Sequence, residues 1–245
     1  MQWIEGTVIE QKQWTPTLYS LYVKAPDVEF KAGQFTQISL DPERQIFRAY
    51  SFLNAPNQKP LEFYYTVLPQ GVQTPKLAVL QKNNTLWLNA KGAGRLTLQG
   101  IQTAQTLWLI ATGTGVGPYF SILSTKEVWQ NFEKVVLVHS VRYLQELTHL
   151  SLIDAWQLSH PRQFYWCPIV TRQASTYFSQ RIPQLLNSGQ LEASAKAGLT
   201  TKSIVMLCGN PHMVHEVLEL CQKRGLCRHH AGQPGQILIE SYWKE

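Results

Sequence analysis

At 245 residues the chain has room for one large domain or two ordinary ones, and two are expected. With 44% hydrophobic and only 16% charged residues, it has ample core material and none of the polar bias of a disordered chain. The net charge of +6 is shared evenly, +3 in residues 1–100 and +3 in the remainder, so no basic tail singles out a nucleic-acid-binding segment.

The opening residues Met1-Gln2-Trp3-Ile4-Glu5-Gly6 lack a basic segment followed by an apolar stretch, and no apolar run approaches the roughly 18 residues of a membrane span. A soluble, cytoplasmic protein without stable membrane insertion is therefore expected, most simply a monomer. Cys167, Cys208, Cys221 and Cys227 form no Cys-x-x-Cys pair, so they suggest neither a zinc nor an iron–sulfur site, and no metal is expected.

From the N-terminus, short β-type runs recur at residues 7–9, 18–23, 35–40, 49–53, 61–67 and 85–88, with a brief helix at 75–80. This even spacing predicts an antiparallel barrel or sandwich. Beyond residue 105 the pattern alternates. Apolar runs at 107–111, 135–138, 166–170, 204–207 and 237–239 read as strands, and helical periodicity appears near 118–123, 144–155, 182–186 and 211–221. Alternating strands and helices predict a doubly wound parallel sheet. The boundary between the domains falls at residues 98–105, giving domains 1–100 and 101–245.

Between the first apolar run of the second domain and its helix stands Thr112-Gly113-Thr114-Gly115-Val116-Gly117-Pro118. Glycines let a backbone turn sharply against a phosphate, Pro118 suits the start of a helix, and the exposed N–H groups of a helix start attract anions. The spacing is Gly-x-Gly-x-Gly and not the Gly-x-Gly-x-x-Gly of the dinucleotide fingerprint. The next strand runs Val135 through Val138 into His139-Ser140-Val141-Arg142, with arginine where a site for unphosphorylated NAD usually has an acid. A guanidinium pairs with a phosphate monoester, so Arg142 favours NADPH; Arg172 and Arg181 are candidates to complete the pocket.

Six segments in order resemble the bacterial-type ferredoxin/flavodoxin–NADP reductases along essentially the whole chain. They are Arg48-Ala49-Tyr50-Ser51, Leu61-Glu62-Phe63-Tyr64-Tyr65, Gly113-Thr114-Gly115, Val138-His139-Ser140-Val141-Arg142, Met206-Leu207-Cys208-Gly209-Asn210-Pro211 and Glu240-Ser241-Tyr242-Trp243. The resemblance implies a β-barrel FAD domain followed by an NADP-binding α/β domain. In its first segment it implies that Arg48 neutralises the flavin pyrophosphate, that Tyr50 packs on the flavin ring, and that Ser51 bonds near the nitrogen that takes up hydride. Ala49, Phe63, Tyr64 and Thr66 are implied at FAD, with Thr74 holding a phosphate and Gly92 and Ala93 bordering the flavin. Tyr242 or Trp243 is implied to cover the flavin face.

By the same resemblance Thr112, Gly113, Thr114, Gly115, Cys208, Gly209 and Asn210 join the three arginines at NADP. Cys208 shapes the place where nicotinamide meets flavin, and Glu240 relays a proton; with Ser51 these are the catalytic candidates. The implied activity is electron transfer from NADPH through FAD to a small one-electron carrier, a ferredoxin or flavodoxin, expected to be acidic. Two alternatives remain open at this point: an NAD(P)H:flavin or quinone reductase, and a flavoprotein subunit of a larger redox complex.

Overall fold

The computed structural model describes residues 2–101, 104–230 and 232–241, leaving aside the side chain of Ser241. Its residues cluster into two compact units, Met1–Thr97 with Gly117–Thr125, and Leu98–Val116 with Lys126–Glu245.

The first unit is built on β1 (Trp3–Thr15), β2 (Leu18–Lys24), β3 (Phe35–Ser39), β4 (Phe47–Ser51), β5 (Leu61–Thr66) and β6 (Thr85–Asn89), in the sheet order β4-β3-β6-β1-β2-β5. All these pairings are antiparallel. An antiparallel bridge between Phe52 and Phe63, and the Leu53 N–H donating to the Glu62 carbonyl at 3.0 Å, join the end of β4 to β5 and close the sheet into a barrel. Closure removes the exposed strand edges that would otherwise recruit other chains. Inside, Val8, Leu21, Val23, Ile38, Phe52, Leu61, Phe63, Leu86 and Leu88 are fully buried, and Leu77 enters the same core from the short helix α1 (Thr74–Ala78). Strand β1 is far longer than its apolar run at 7–9 predicts. Its polar stretch Glu10–Gln13 pairs with Tyr19–Tyr22 of β2 along an outward-facing ribbon, so backbone pairing rather than burial extends it.

The segment Gly117–Thr125, expected in the second domain from its place after the glycine-rich turn, clusters with the first unit. It carries α2 (Gly117–Leu123), all of whose residues are buried, and the Ser121 hydroxyl donates to the Asn54 carbonyl at 2.8 Å.

The second unit is a five-stranded parallel sheet of β7 (Thr106–Thr112), β8 (Lys134–Val141), β9 (Phe164–Val170), β10 (Ser203–Gly209) and β11 (Ile237–Ser241), ordered β11-β10-β7-β8-β9. Residues 107–111 of β7 and all of β10 are buried, as strands covered on both faces must be. Helices α3 (Lys126–Asn131), α4 (Leu150–Ser159), α5 (Ile182–Asn187), α6 (Gln190–Ala195) and α7 (Pro211–Lys223) provide its crossovers. Trp108, Ile110, Val136, Val138, Val205 and Leu207 pack on one face against Leu185, Leu186, Val214 and Val217.

The helical pattern at 144–155 resolves into a 3-10 turn at Leu144–Glu146 and α4, because His149 sits between them in the left-handed region at φ 56°. Helices α3 and α6 are too short and too polar to register as amphipathic periods. Among the described residues no helix is long and apolar enough to cross a membrane.

Candidate functional site

In the first unit, β4 pairs with β3 so that Ser51 faces Phe35, Tyr50 faces Thr36, Ala49 faces Gln37 and Arg48 faces Ile38. Arg48 and Ala49 are exposed, whereas Tyr50 and Ser51 are buried. The Arg48 guanidinium meets the carbonyl of Phe47 through Nη1 at 2.8 Å, which leaves most of its forked donor set available for an anion. Tyr50 stands edge-on to Tyr65, with centroids 6.1 Å apart and planes at 85°. Its hydroxyl is buried without a hydrogen-bond partner, and so is Oε1 of the neighbouring Gln73, whose Nε2 donates to the Ile38 carbonyl at 2.9 Å. Burial raises the Tyr50 hydroxyl above the ordinary tyrosine range, against the opposing pull of the Arg48 charge and the Gln73 amide.

Buried polar atoms are nearly always satisfied, so this pair has hydrogen-bonding capacity left over that a ligand could use. A flavin nucleotide, with a polar-edged ring and an anionic pyrophosphate, fits an unsatisfied phenol beside an exposed guanidinium.

The other residues expected at FAD divide into two groups. Tyr64 is buried and Thr66 half-buried on β5. Phe63 is fully enclosed, its ring tilted 5.4 Å from Phe52, so its side chain packs in the barrel core. The Thr74 hydroxyl accepts from the Leu68 N–H at 2.9 Å and closes a turn, while the residue before α1 is Gln73. Thr74 can therefore offer a phosphate its backbone N–H, one of the unpaired donors of a helix start, rather than the expected hydroxyl. Gly92 and Ala93 have structural reasons of their own. A Cβ on Gly92 would lie 2.6 Å from Phe30 Cβ, and Ala93 exchanges backbone hydrogen bonds with Phe35 at 2.8 and 2.9 Å.

In the second unit the candidate residues cluster where the strand order reverses. Strand β7 is followed in sequence by β8 on one side, and β10 pairs on its other side, so the turns leaving β7 and β10 flank the switch point where open α/β sheets bind ligands. The two turns are welded backbone to backbone. A Cβ on Gly115 would lie 2.7 Å from the Cys208 carbonyl oxygen and 2.9 Å from Gly209 Cα; one on Gly209, at φ +123°, would lie 2.3 Å from Thr112 Oγ1. Thr112 Oγ1 accepts from the Asn210 N–H at 2.8 Å, and Asn210 Oδ1 caps α7 by accepting from His212 and Met213. Gly113 is different: it is exposed with open space where a Cβ would stand, and glycine is called for there by its φ of +54°. Thr114 follows it, half-buried.

Arg142 and Arg172 come together at the adjacent ends of β8 and β9. The Arg172 N–H donates to the Arg142 carbonyl at 2.9 Å, and both side chains are exposed. Sequence reading missed what holds them. Glu146 Oε2 accepts from the N–H groups of Arg142 and Tyr143 at 2.7 and 3.1 Å, and Gln173 Oε1 accepts from Leu144 N–H at 2.9 Å. A glutamate three residues after the cap position is a capping-box signal that could have exposed the first of these. Arg181 precedes α5, and its guanidinium pairs with Glu216 of α7 at 3.1 Å, both side chains being largely exposed. This engagement, also unforeseen, means Arg181 reaches a phosphate only by sharing or leaving Glu216.

Cys208 is fully buried and stands in register with Glu240 on β11 and with Ala111 on β7. Two of the catalytic candidates are thus neighbours on adjacent strands, and Ser51 lies in the other unit. Tyr242 and Trp243 lie outside the described residues. Among the described residues no group of three or more histidine, cysteine or acidic side chains could hold a metal ion.

Residues 109–219 match the family model of the oxidoreductase NAD-binding domain. The chain is 39% identical over 246 residues to the flavodoxin/ferredoxin–NADP reductase of Buchnera aphidicola subsp. Baizongia pistaciae, covering 98% of this chain and 99% of that one. It is 36% identical over 245 residues to the protein of the same name from Escherichia coli K12, with coverage of 98% and 99%. Among solved structures, a ferredoxin NADP+ reductase from Neisseria gonorrhoeae with bound FAD and NADP superposes with a TM-score of 0.92 at 29% identity, over 99% of this chain and 100% of that one.

Proposed function

The chain belongs to the flavodoxin/ferredoxin–NADP reductase family, and from that premise we propose how its residues serve the reaction. It is an oxidoreductase that uses FAD to pass electrons between NADP(H) and a ferredoxin or flavodoxin. When bound, FAD supplies the step between two-electron nicotinamide and one-electron carrier chemistry; the protein contributes binding, orientation and electrostatics.

The observation that carries the reading is the pair of backbone-welded turns at the switch point of the parallel sheet, with Arg142 and Arg172 tied together on the strands beside them. Gly113 and the backbone N–H groups after it receive the nucleotide pyrophosphate, while the two guanidinium groups receive the 2′-phosphate, joined by Arg181 when it leaves Glu216. Cys208, fully buried at the end of β10, sets the depth of the nicotinamide end without acting as a nucleophile. Glu240, its register partner, holds or passes a proton at its carboxylate. In the barrel unit Arg48 would hold the flavin pyrophosphate, the Tyr50 hydroxyl and Gln73 Oε1 would gain a partner from the flavin, and Ser51 would bond the ring edge.

The remaining parts of the reading are a FAD domain over 1–100, an NADP domain over 101–245, a monomeric state and a cytoplasmic location. An exposed Cys227 thiol suits a reducing compartment. The net charge of +6 supports an acidic carrier protein, whose reduction should slow as salt screens the encounter.

The test is an anaerobic titration of the yellow protein with NADPH and with NADH, following the flavin absorbance. Bleaching at far lower NADPH than NADH is expected. Equal response to both would remove the 2′-phosphate role of the arginines, and a protein that takes up no FAD would overturn the whole reading.

A further inference from the structure

The imidazole of His139 is buried beneath the glycine-rich turn and is used by nothing described so far. Its Nε2 lies 3.0 Å from the Gly113 carbonyl oxygen, its side chain is 1% exposed, and its Nδ1 has no hydrogen-bond partner. A carbonyl only accepts, so Nε2 must carry the proton. In the neutral ring Nδ1 is then a bare acceptor. Burial keeps the ring neutral, pushing its pKa down to about 4; the Gly113 carbonyl opposes the shift and nearby His149 adds to it.

The position follows from sheet register. Glu240, Cys208, Ala111 and His139 form one row across four strands at the carboxyl edge, with His139 next to Ala111, and the chain turns just beyond Ala111 at Thr112 and Gly113. The row brings the ring under the first peptide of the turn.

That peptide is planar and trans, so its C=O and N–H point in opposite directions. With the Gly113 carbonyl turned onto the buried ring, the N–H of Thr114, across the same peptide, points away from the ring. The far end of the turn is already set by the contact of Gly115 with Cys208 and Gly209.

We infer that His139 is a positioning residue for nucleotide binding: by taking the Gly113 carbonyl it aims the Gly113–Thr114 peptide N–H at the phosphate of NADP(H). This rests on the proposed nucleotide site. The ring touches no substrate, so its removal acts on affinity and not on the chemical step.

The experiment compares the FAD-loaded wild type with His139→Leu and His139→Gln by titration with NADP+, by KM and kcat for NADPH, and by flavin content. His139→Leu is expected to weaken NADP+ binding and raise KM about tenfold or more, as follows from removing the ring donor that the Gly113 carbonyl meets. Its kcat at saturation should stay within about threefold, and its flavin content should be unchanged. His139→Gln, which restores a donor, should recover most of the affinity. A folded His139→Leu with wild-type affinity overturns the inference, and so does a His139→Gln as impaired as the leucine variant, since either assigns the ring to packing alone.

Nitrogen-15 NMR of labelled histidine in the wild type needs no variant to fold. It should show a neutral ring protonated at Nε2 near pH 7 whose signals move on adding NADP+; an Nδ1-protonated or charged ring overturns the inference. If the wild type itself binds no NADP+, the nucleotide reading has failed, which is a different result from either variant outcome.

Discussion

Replacing Gly115 by alanine tests the weld between the two turns. Its added Cβ would sit 2.7 Å from the Cys208 carbonyl oxygen, 2.8 Å from the Cys208 carbonyl carbon and 2.9 Å from Gly209 Cα, where ordinary contact begins near 3.4 Å. All three neighbours are backbone of β10 and the turn after it, so no rotamer change relieves the overlap. The 3-10 turn Gly113–Val116 must instead lift from the strand by about 0.7 Å. Overpacking of this kind costs about 1–3 kcal/mol, and displacement of a binding loop by a good fraction of an ångström costs up to about 100-fold in function. Gly115→Ala is therefore expected to lower the thermal midpoint and to weaken NADP+ binding by about 10- to 100-fold. Flavin content should not change, because Arg48, Tyr50, Ser51 and Gln73, proposed to hold FAD, lie in the other unit. Differential scanning fluorimetry and NADP+ titration read both effects. A variant with wild-type affinity and midpoint would refute the claim that this contact sets the turn, whereas Gly198→Ala, which meets only the Thr200 methyl at 3.3 Å, should be almost silent.

Because the folded His139 pKa of about 4 lies below the roughly 6.5 of an unfolded histidine, the unfolded state binds the extra proton between those values, and stability rises with pH across that window. The gap corresponds to about 3 kcal/mol, fully present above pH 6.5 and lost as pH falls to 4; urea midpoints at stepped pH should show this slope, and His139→Gln should flatten it. Arg142→Ser and Arg172→Ser should each raise KM for NADPH by about 10- to 100-fold through loss of a charge-assisted bond while leaving NADH turnover nearly unchanged; parallel losses for both nucleotides would contradict the 2′-phosphate assignment. Glu216→Gln removes the exposed partner of Arg181, so stability should move by under about 0.5 kcal/mol while NADPH affinity improves by a few-fold, and a loss of affinity would mean that Glu216 orients the arginine instead of competing for it.

Much of the architecture is written locally. Short alternating runs before residue 100 and continuous apolar runs after 105 follow from the different burial of an antiparallel barrel and a parallel sheet, and they specify both without any long-range information. Glycines at 113 and 115, an arginine where an acid would suit NAD, and the order of six short segments carried the nucleotide chemistry and the family. What local pattern could not show was which polar group answers which. Nothing in Gln73 or Gln173 as residue types says that one lies beside the Tyr50 phenol and the other braces the loop that follows Arg142. Phe63 reads as a cofactor contact from its motif; that both faces of β5 are covered and its ring packs in the core is seen only in the fold. The bond from Asn210 N–H to Thr112 Oγ1 spans 98 residues, and the partner of His139 is a carbonyl 26 residues away. Periodicity reports whether a side chain is buried; only the crossing of strands in three dimensions decides what it is buried against, and there the turn and its two anchors were made.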